Sequence, residues 1–100
     1  MTDLTQSDWK KQLAEDTDAV IIDVRTDNEV ALGIIDSAIQ IDIRQPQQFL
    51  NEIEKLDKSK SYYVYCKSGG RSAQACSIMQ QMGFNRTYNL LGGYDQWQHK

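Results

Sequence analysis

Two short stretches of the chain are apolar almost throughout, and they set its plan. Ala19-Val20-Ile21-Ile22-Asp23-Val24 and Tyr62-Tyr63-Val64-Tyr65 are rich in β-branched and aromatic residues and flanked by polar sequence. That is the pattern of strands covered on both faces. Ala38-Ile39-Gln40-Ile41 and Thr87-Tyr88-Asn89-Leu90 are weaker strand candidates of similar length. Helical spacing fills the gaps. Trp9 and Leu13 lie four apart on one helical face, with Thr5 or Ser7 where an N-cap belongs. Thr26 is placed to cap a short helix across Asp27 to Leu32, with Gly33 just past its end. Pro46 suits the first turn of a helix bearing Phe49, Leu50, Ile53 and Leu56. From about Arg71 to Met82, the positions Ala75, Cys76, Met79 and Met82 fall on one face, and Gly83-Phe84 reads as a glycine stop with its hydrophobic follower. A last helix is expected from Tyr94 to His99. Strands alternating with helices predict an α/β fold on a mostly parallel sheet.

Length and charge narrow the picture further. One hundred residues predict a single domain over 1–100. The net charge of −3 argues against nucleic acid as the main partner, because phosphate binding needs a basic surface. No apolar run approaches the roughly 20 residues of a membrane span, and the opening MTDLTQSDWKK lacks the basic-then-apolar order of a secretion signal. A cytoplasmic location with two free thiols is therefore expected. The sole histidine, His99, lies near the chain end, and no ligand cluster is visible, so neither a metal nor a cofactor is expected.

The chemistry concentrates after the Tyr62–Tyr65 strand. In parallel sheets ligands sit beyond the carboxyl ends of the strands, and Cys66-Lys67-Ser68-Gly69-Gly70-Arg71-Ser72 occupies such an end, just before a helix. Gly69 and Gly70 permit positive φ, so successive backbone N–H groups can turn inward as an anion-binding concavity. The following helix adds its unpaired N–H groups and the positive end of its dipole. A thiol in such a cup ionises readily; comparable sites lower thiol pKa values to about 3.5–7.5. Lys67 and Arg71 flank it as candidate holders of an oxyanion, and Ser72 can donate toward the sulfur. A small buried cysteine beside a plain tight turn is the competing reading. A thiol, two glycines and two cations sharing one turn favour the chemical one. Cys76, on the apolar helix face, is expected in the core. Asp23 and Arg25 are expected to brace the loop, and Tyr94 and Trp97 to pack near the chain end.

This loop resembles the active-site loop of the rhodanese family of single-domain sulfurtransferases, whose pattern Cys-x-x-Gly-x-Arg-Ser is met by Cys66, Gly69, Arg71 and Ser72. Asp23-Val24-Arg25 with Glu29 is similar to the family's Asp-x-Arg element and the glutamate after it. Gly33 to Ile41 is similar to its Gly-His-Ile-x-Gly-Ala-x-Asn-Ile segment, with Ile34, Ser37 and Gln40 as departures. Leu90-Leu91-Gly92-Gly93-Tyr94-Asp95-Gln96-Trp97 is similar to its closing Gly-Gly and tryptophan motif. The resemblance implies a three-layer α/β/α domain with a mostly parallel four- or five-stranded sheet. It also implies sulfur transfer from a donor such as thiosulfate, through a Cys66 persulfide, to cyanide or a cellular thiol. Sulfurtransferases of the family place four residues between cysteine and arginine where the related phosphatases place five, and Lys67 to Gly70 make four. A protein-to-protein sulfur relay and a non-catalytic binding module are the alternatives.

Overall fold

In a computed structural model of the chain, which describes residues 1–97, ten elements follow in order. They are β1 (Thr2–Leu4), α1 (Gln6–Glu15), β2 (Ala19–Asp23), α2 (Asp27–Val30), β3 (Ile39–Gln40), α3 (Pro46–Glu54), β4 (Ser61–Tyr65), α4 (Gly70–Gln81), β5 (Thr87–Leu90) and a 3-10 turn (Tyr94–Gln96). The strands form one five-stranded sheet in the order β1-β5-β4-β2-β3, and each neighbouring pair runs parallel. All five residues of β4 are buried, and it takes the centre.

Strand alternation sorts the core into two halves. Ile22, Val24, Tyr62, Val64 and Cys66 point to one face, where Phe49 and Ile53 of α3 meet Ala75, Cys76 and Met79 of α4. Ile21, Tyr63 and Tyr65 point to the other, around the fully buried Trp9 of α1. Trp9 meets Tyr63, Tyr65 and Trp97 edge-on, with ring centroids at 5.7, 6.4 and 5.6 Å, a favoured aromatic geometry. The result is a three-layer α/β/α arrangement, and Cys66 inherits the α3/α4 face because it continues the even-numbered register of β4.

Local signals act where the sequence places them. Thr5, not Ser7, caps α1 by accepting from the Asp8 N–H. Thr26 and Glu29 form a reciprocal capping box on α2. Pro46 opens α3. Gly83 N–H to Gln80 O and Phe84 N–H to Met79 O close α4 as a Schellman motif.

Five elements differ from expectation. α3 ends at Glu54, so Leu56 lies beyond the helix rather than on its face. β1 is additional: Thr2-Asp3-Leu4 is a short edge strand paired only with β5, too polar to announce itself. β3 keeps two of its four expected residues, because only Ile39 and Gln40 pair with β2. α2 ends at Val30 rather than Leu32. The final helix begins at Tyr94 but is a 3-10 turn to Gln96 with Trp97 extended. His99 lies outside the described residues. Among those described, no helix is long and apolar enough to cross a membrane.

Candidate active site

Cys66 follows β4 directly, and its loop folds back over the sulfur. Gly69 adopts φ 111° and ψ −16° and caps α4. That left-handed backbone turns its N–H onto the Cys66 Sγ at 3.1 Å, and the nearby N–H groups of Ser68 and Ser72 add to the field that favours the sulfur anion. The Ser72 hydroxyl stands 3.3 Å from it. Cys66 exposes only 1% of its surface. Burial alone pushes such a thiol up, but the Ser72 hydroxyl and the N–H groups of Ser72, Gly69 and Ser68 outweigh it, and the thiol ends below its ordinary value. Fixed donors around a dry sulfur stabilise its anion more than any other state.

The two glycines of the loop are unequal. Gly69 needs its positive φ, whereas Gly70 is the first helical residue, lies outside the left-handed region, and has open space where a Cβ would go. Of the two glycines that permit positive φ, Gly69 alone uses it: one αL residue suffices to aim the amide. We predict that Gly70→Ala leaves stability equal or raises it by up to about 1 kcal/mol. Gly69→Ala is predicted to cost about 1–3 kcal/mol of backbone strain. Equal denaturation midpoints for the two variants would contradict this.

A polar network behind the sulfur was not singled out in the sequence. Asn89 of β5 is buried, and its amide nitrogen donates to Asp3 Oδ1 at 2.9 Å and Gly69 O at 3.3 Å. Its Oδ1 therefore faces Ser72, whose hydroxyl makes a short bond to it. Ser72 has one hydroxyl hydrogen and three acceptors in reach, namely Asn89 Oδ1, Gly69 O and the sulfur. With a neutral thiol that hydrogen serves Asn89; with a thiolate it can swing to the sulfur. The available signal was a polar residue inside an otherwise buried strand.

Both cations of the loop meet carboxylates. Arg71 makes a bidentate pair with Glu29, Nη1 to Oε1 and Nη2 to Oε2 at 2.8 Å each. Lys67 Nζ lies 3.1 Å from Asp95 Oδ2. The expectation that Lys67 and Arg71 stand ready to hold donor oxygens thus meets a structure in which each is already engaged. The cause is Glu29: the residue that completes the α2 capping box also reaches the guanidinium across the site. Arg25 does not touch the sulfur. It grips Asp23 through Nε and Nη2, donates to Gly33 O at 2.7 Å, and lies 4.3 Å from the Tyr94 ring centre. From there it ties the end of β2 to the Gly33 and Tyr94 segments.

The segment after β5 holds the loop from behind. Tyr94 N–H donates to Cys66 O at 2.8 Å and Asp95 N–H to Lys67 O at 2.9 Å. Gly93 passes so close that a Cβ would stand 2.5 Å from Lys67 O. Cys76, in contrast, is sealed in the core, and burial pushes its thiol up to about 12. It is unsuited to resolve anything at Cys66. Among the described residues no group of three or more His, Cys, Asp or Glu side chains is arranged to hold a metal ion.

The Rhodanese-like domain family model matches residues 6–100. A sulfurtransferase of Allochromatium vinosum is 33% identical over 97 residues, covering 97% of this chain and 88% of that protein. The tRNA uridine(34) hydroxylase of Bartonella bacilliformis is 30% identical over 96% of this chain, which spans 32% of that protein. The crystal structure of a rhodanese-like domain protein from Staphylococcus aureus superposes with a TM-score of 0.82 at 33% identity, covering 98% of this chain and 92% of that one.

Proposed function

This chain belongs to the rhodanese-like family, and from that membership we propose that its Cys66 carries sulfane sulfur from a donor to a thiophilic acceptor. The family's activity requires a sulfur donor and a sulfur acceptor. Here the Cys66 thiolate attacks the outer sulfur of a donor such as thiosulfate, the S–S bond breaks, and sulfite leaves with the bonding pair. The product is a Cys66 persulfide anion. Cyanide or a cellular thiol then takes the outer sulfur and regenerates the thiolate, in two-step covalent catalysis.

One observation carries this reading. The Gly69 N–H and the Ser72 hydroxyl both point at the Cys66 sulfur, at 3.1 and 3.3 Å, from a single turn, and the N–H groups of Ser68 and Ser72 also favour its anion. Donors fixed in advance stabilise a sulfur anion without reorganising, and the loop reaches the surface close by, at the exposed residues Lys67, Ser68 and Gly70. A binding module has no use for a thiol held this way. The four-residue spacing from Cys66 to Arg71 supports sulfur over the larger phosphate.

Intact-mass measurement after thiosulfate treatment tests the proposal. We expect a stable gain of one sulfur atom, lost on adding cyanide. No gain from thiosulfate or from the monoanion methanethiosulfonate, or a gain that cyanide leaves in place, would refute it.

A further inference from the structure

Arg71 and Glu29 sit beside the sulfur as a half-buried pair, their side chains 18% and 22% exposed. Glu29 is not a loose surface carboxylate. Its Oε1 also accepts from the Thr26 N–H and hydroxyl at 3.0 Å each, so it is pinned by the α2 cap as well as by Arg71. The guanidinium holds the Glu29 carboxyl far below the usual carboxylate range, so Glu29 stays ionised throughout the neutral range and no pH change near neutrality releases Arg71. Arg71 also feels Asp42, from the end of β3. Lys67 is offset by Asp95. The cations of the loop therefore arrive with their charge already answered.

We infer that Glu29 is a specificity-determining residue that screens Arg71 and so biases Cys66 toward sulfur donors carrying at most one negative charge. This rests on the sulfur-transfer reading above. A dianion such as thiosulfate must approach a thiolate beside a guanidinium whose charge is already offset by a bidentate carboxylate, itself held by two other groups. A thiol persulfide faces no such demand. Cys66–S⁻ attacks R–S–SH, the S–S bond breaks, R–S⁻ leaves with the pair, and Cys66–S–SH remains. Atoms and charge balance with no oxidant. Two-pronged arginine–carboxylate contacts are among the stronger charge-assisted hydrogen bonds, so the screening is worth a large factor in affinity rather than a small one.

The test compares two donors that differ in one charge. Thiosulfate and methanethiosulfonate share the transferable sulfur, and in the second a methyl group replaces a charged oxygen. Glu29→Gln removes the carboxylate charge but keeps the α2 cap, because glutamine serves a capping box as glutamate does. With cyanide as acceptor, we expect Glu29→Gln to raise kcat/KM for thiosulfate at least tenfold relative to methanethiosulfonate. The gain should come through KM and fall as salt is added. A merely structural role for Glu29 would move both donors together and would not alter salt dependence. An unchanged ratio, or loss of both activities in a variant with a native melting curve, overturns the inference. Failure of the wild-type protein to load sulfur from either donor overturns the sulfur-transfer reading instead, and the inference with it.

Discussion

Cys66→Ser should reduce thiocyanate formation from thiosulfate and cyanide to the uncatalysed background, a loss of at least about a thousandfold. The groups facing the Cys66 sulfur are hydrogen-bond donors, the Gly69 N–H and the Ser72 hydroxyl. They stabilise an anion but accept no proton, so a serine hydroxyl placed there has nothing to activate it. The substitution removes little volume, and the variant should stay folded. Cys76→Ala should retain turnover, since that thiol is locked in the core. Residual activity in Cys66→Ser near that of the wild type would sink the assignment. The thiol also leaves a signature in pH. Cys66 ionises more readily folded than unfolded, so its ionisation adds stability that is fully present above the unfolded thiol's pKa, about 8.5. That increment is lost as pH falls through the lower folded value. Alkylation by a neutral haloacetamide should rise with a midpoint below that of the unfolded chain by the same logic. Cys66→Ser should abolish both trends.

Gly93→Ala should be the costliest single methyl group in the site. A Cβ at Gly93 would sit 2.5 Å from Lys67 O and 2.6 Å from Cys66 O, both backbone atoms, while φ 57° with ψ −159° is a conformation essentially reserved for glycine. Backbone strain of about 1–3 kcal/mol and a similar cost of overpacking give a loss of roughly 2–6 kcal/mol. Relief is available only by pushing Cys66 and Lys67 away. The same variant should therefore raise the thiol pKa as the amides lose their aim. Chemical denaturation and thiol titration read the two effects. Gly92→Ala is the comparison: at φ 79° it bears backbone strain too, but the nearest atoms to its Cβ belong to the Gln96 side chain rather than to backbone. Equal losses at Gly92 and Gly93 would show that the backbone clash is not the cause.

The sequence made β2, β4 and α4 legible because burial on both sides writes continuous apolar runs and a helical stripe. It made Cys66, Gly69 and Ser72 legible because backbone chemistry there needs particular residue types at fixed offsets. What it hid is long-range pairing. Arg71 and Glu29 are 42 positions apart, and no spacing rule announces a bidentate contact between them. Asn89 and Asp3 are 86 apart and meet only because β1 lies against β5, a neighbour relation set by sheet order. Lys67 reads as an available cation in isolation and becomes an occupied one only when the turn after β5 brings Asp95 to it. Gly70 copies the appearance of Gly69 without sharing its backbone demand.

The family match begins at residue 6, downstream of the edge strand that supplies Asp3 to Asn89. Trimming the protein to the family-model boundary would amputate a buttress of the nucleophile while leaving every motif residue intact. Such a shortened version would satisfy the family pattern yet carry a duller sulfur.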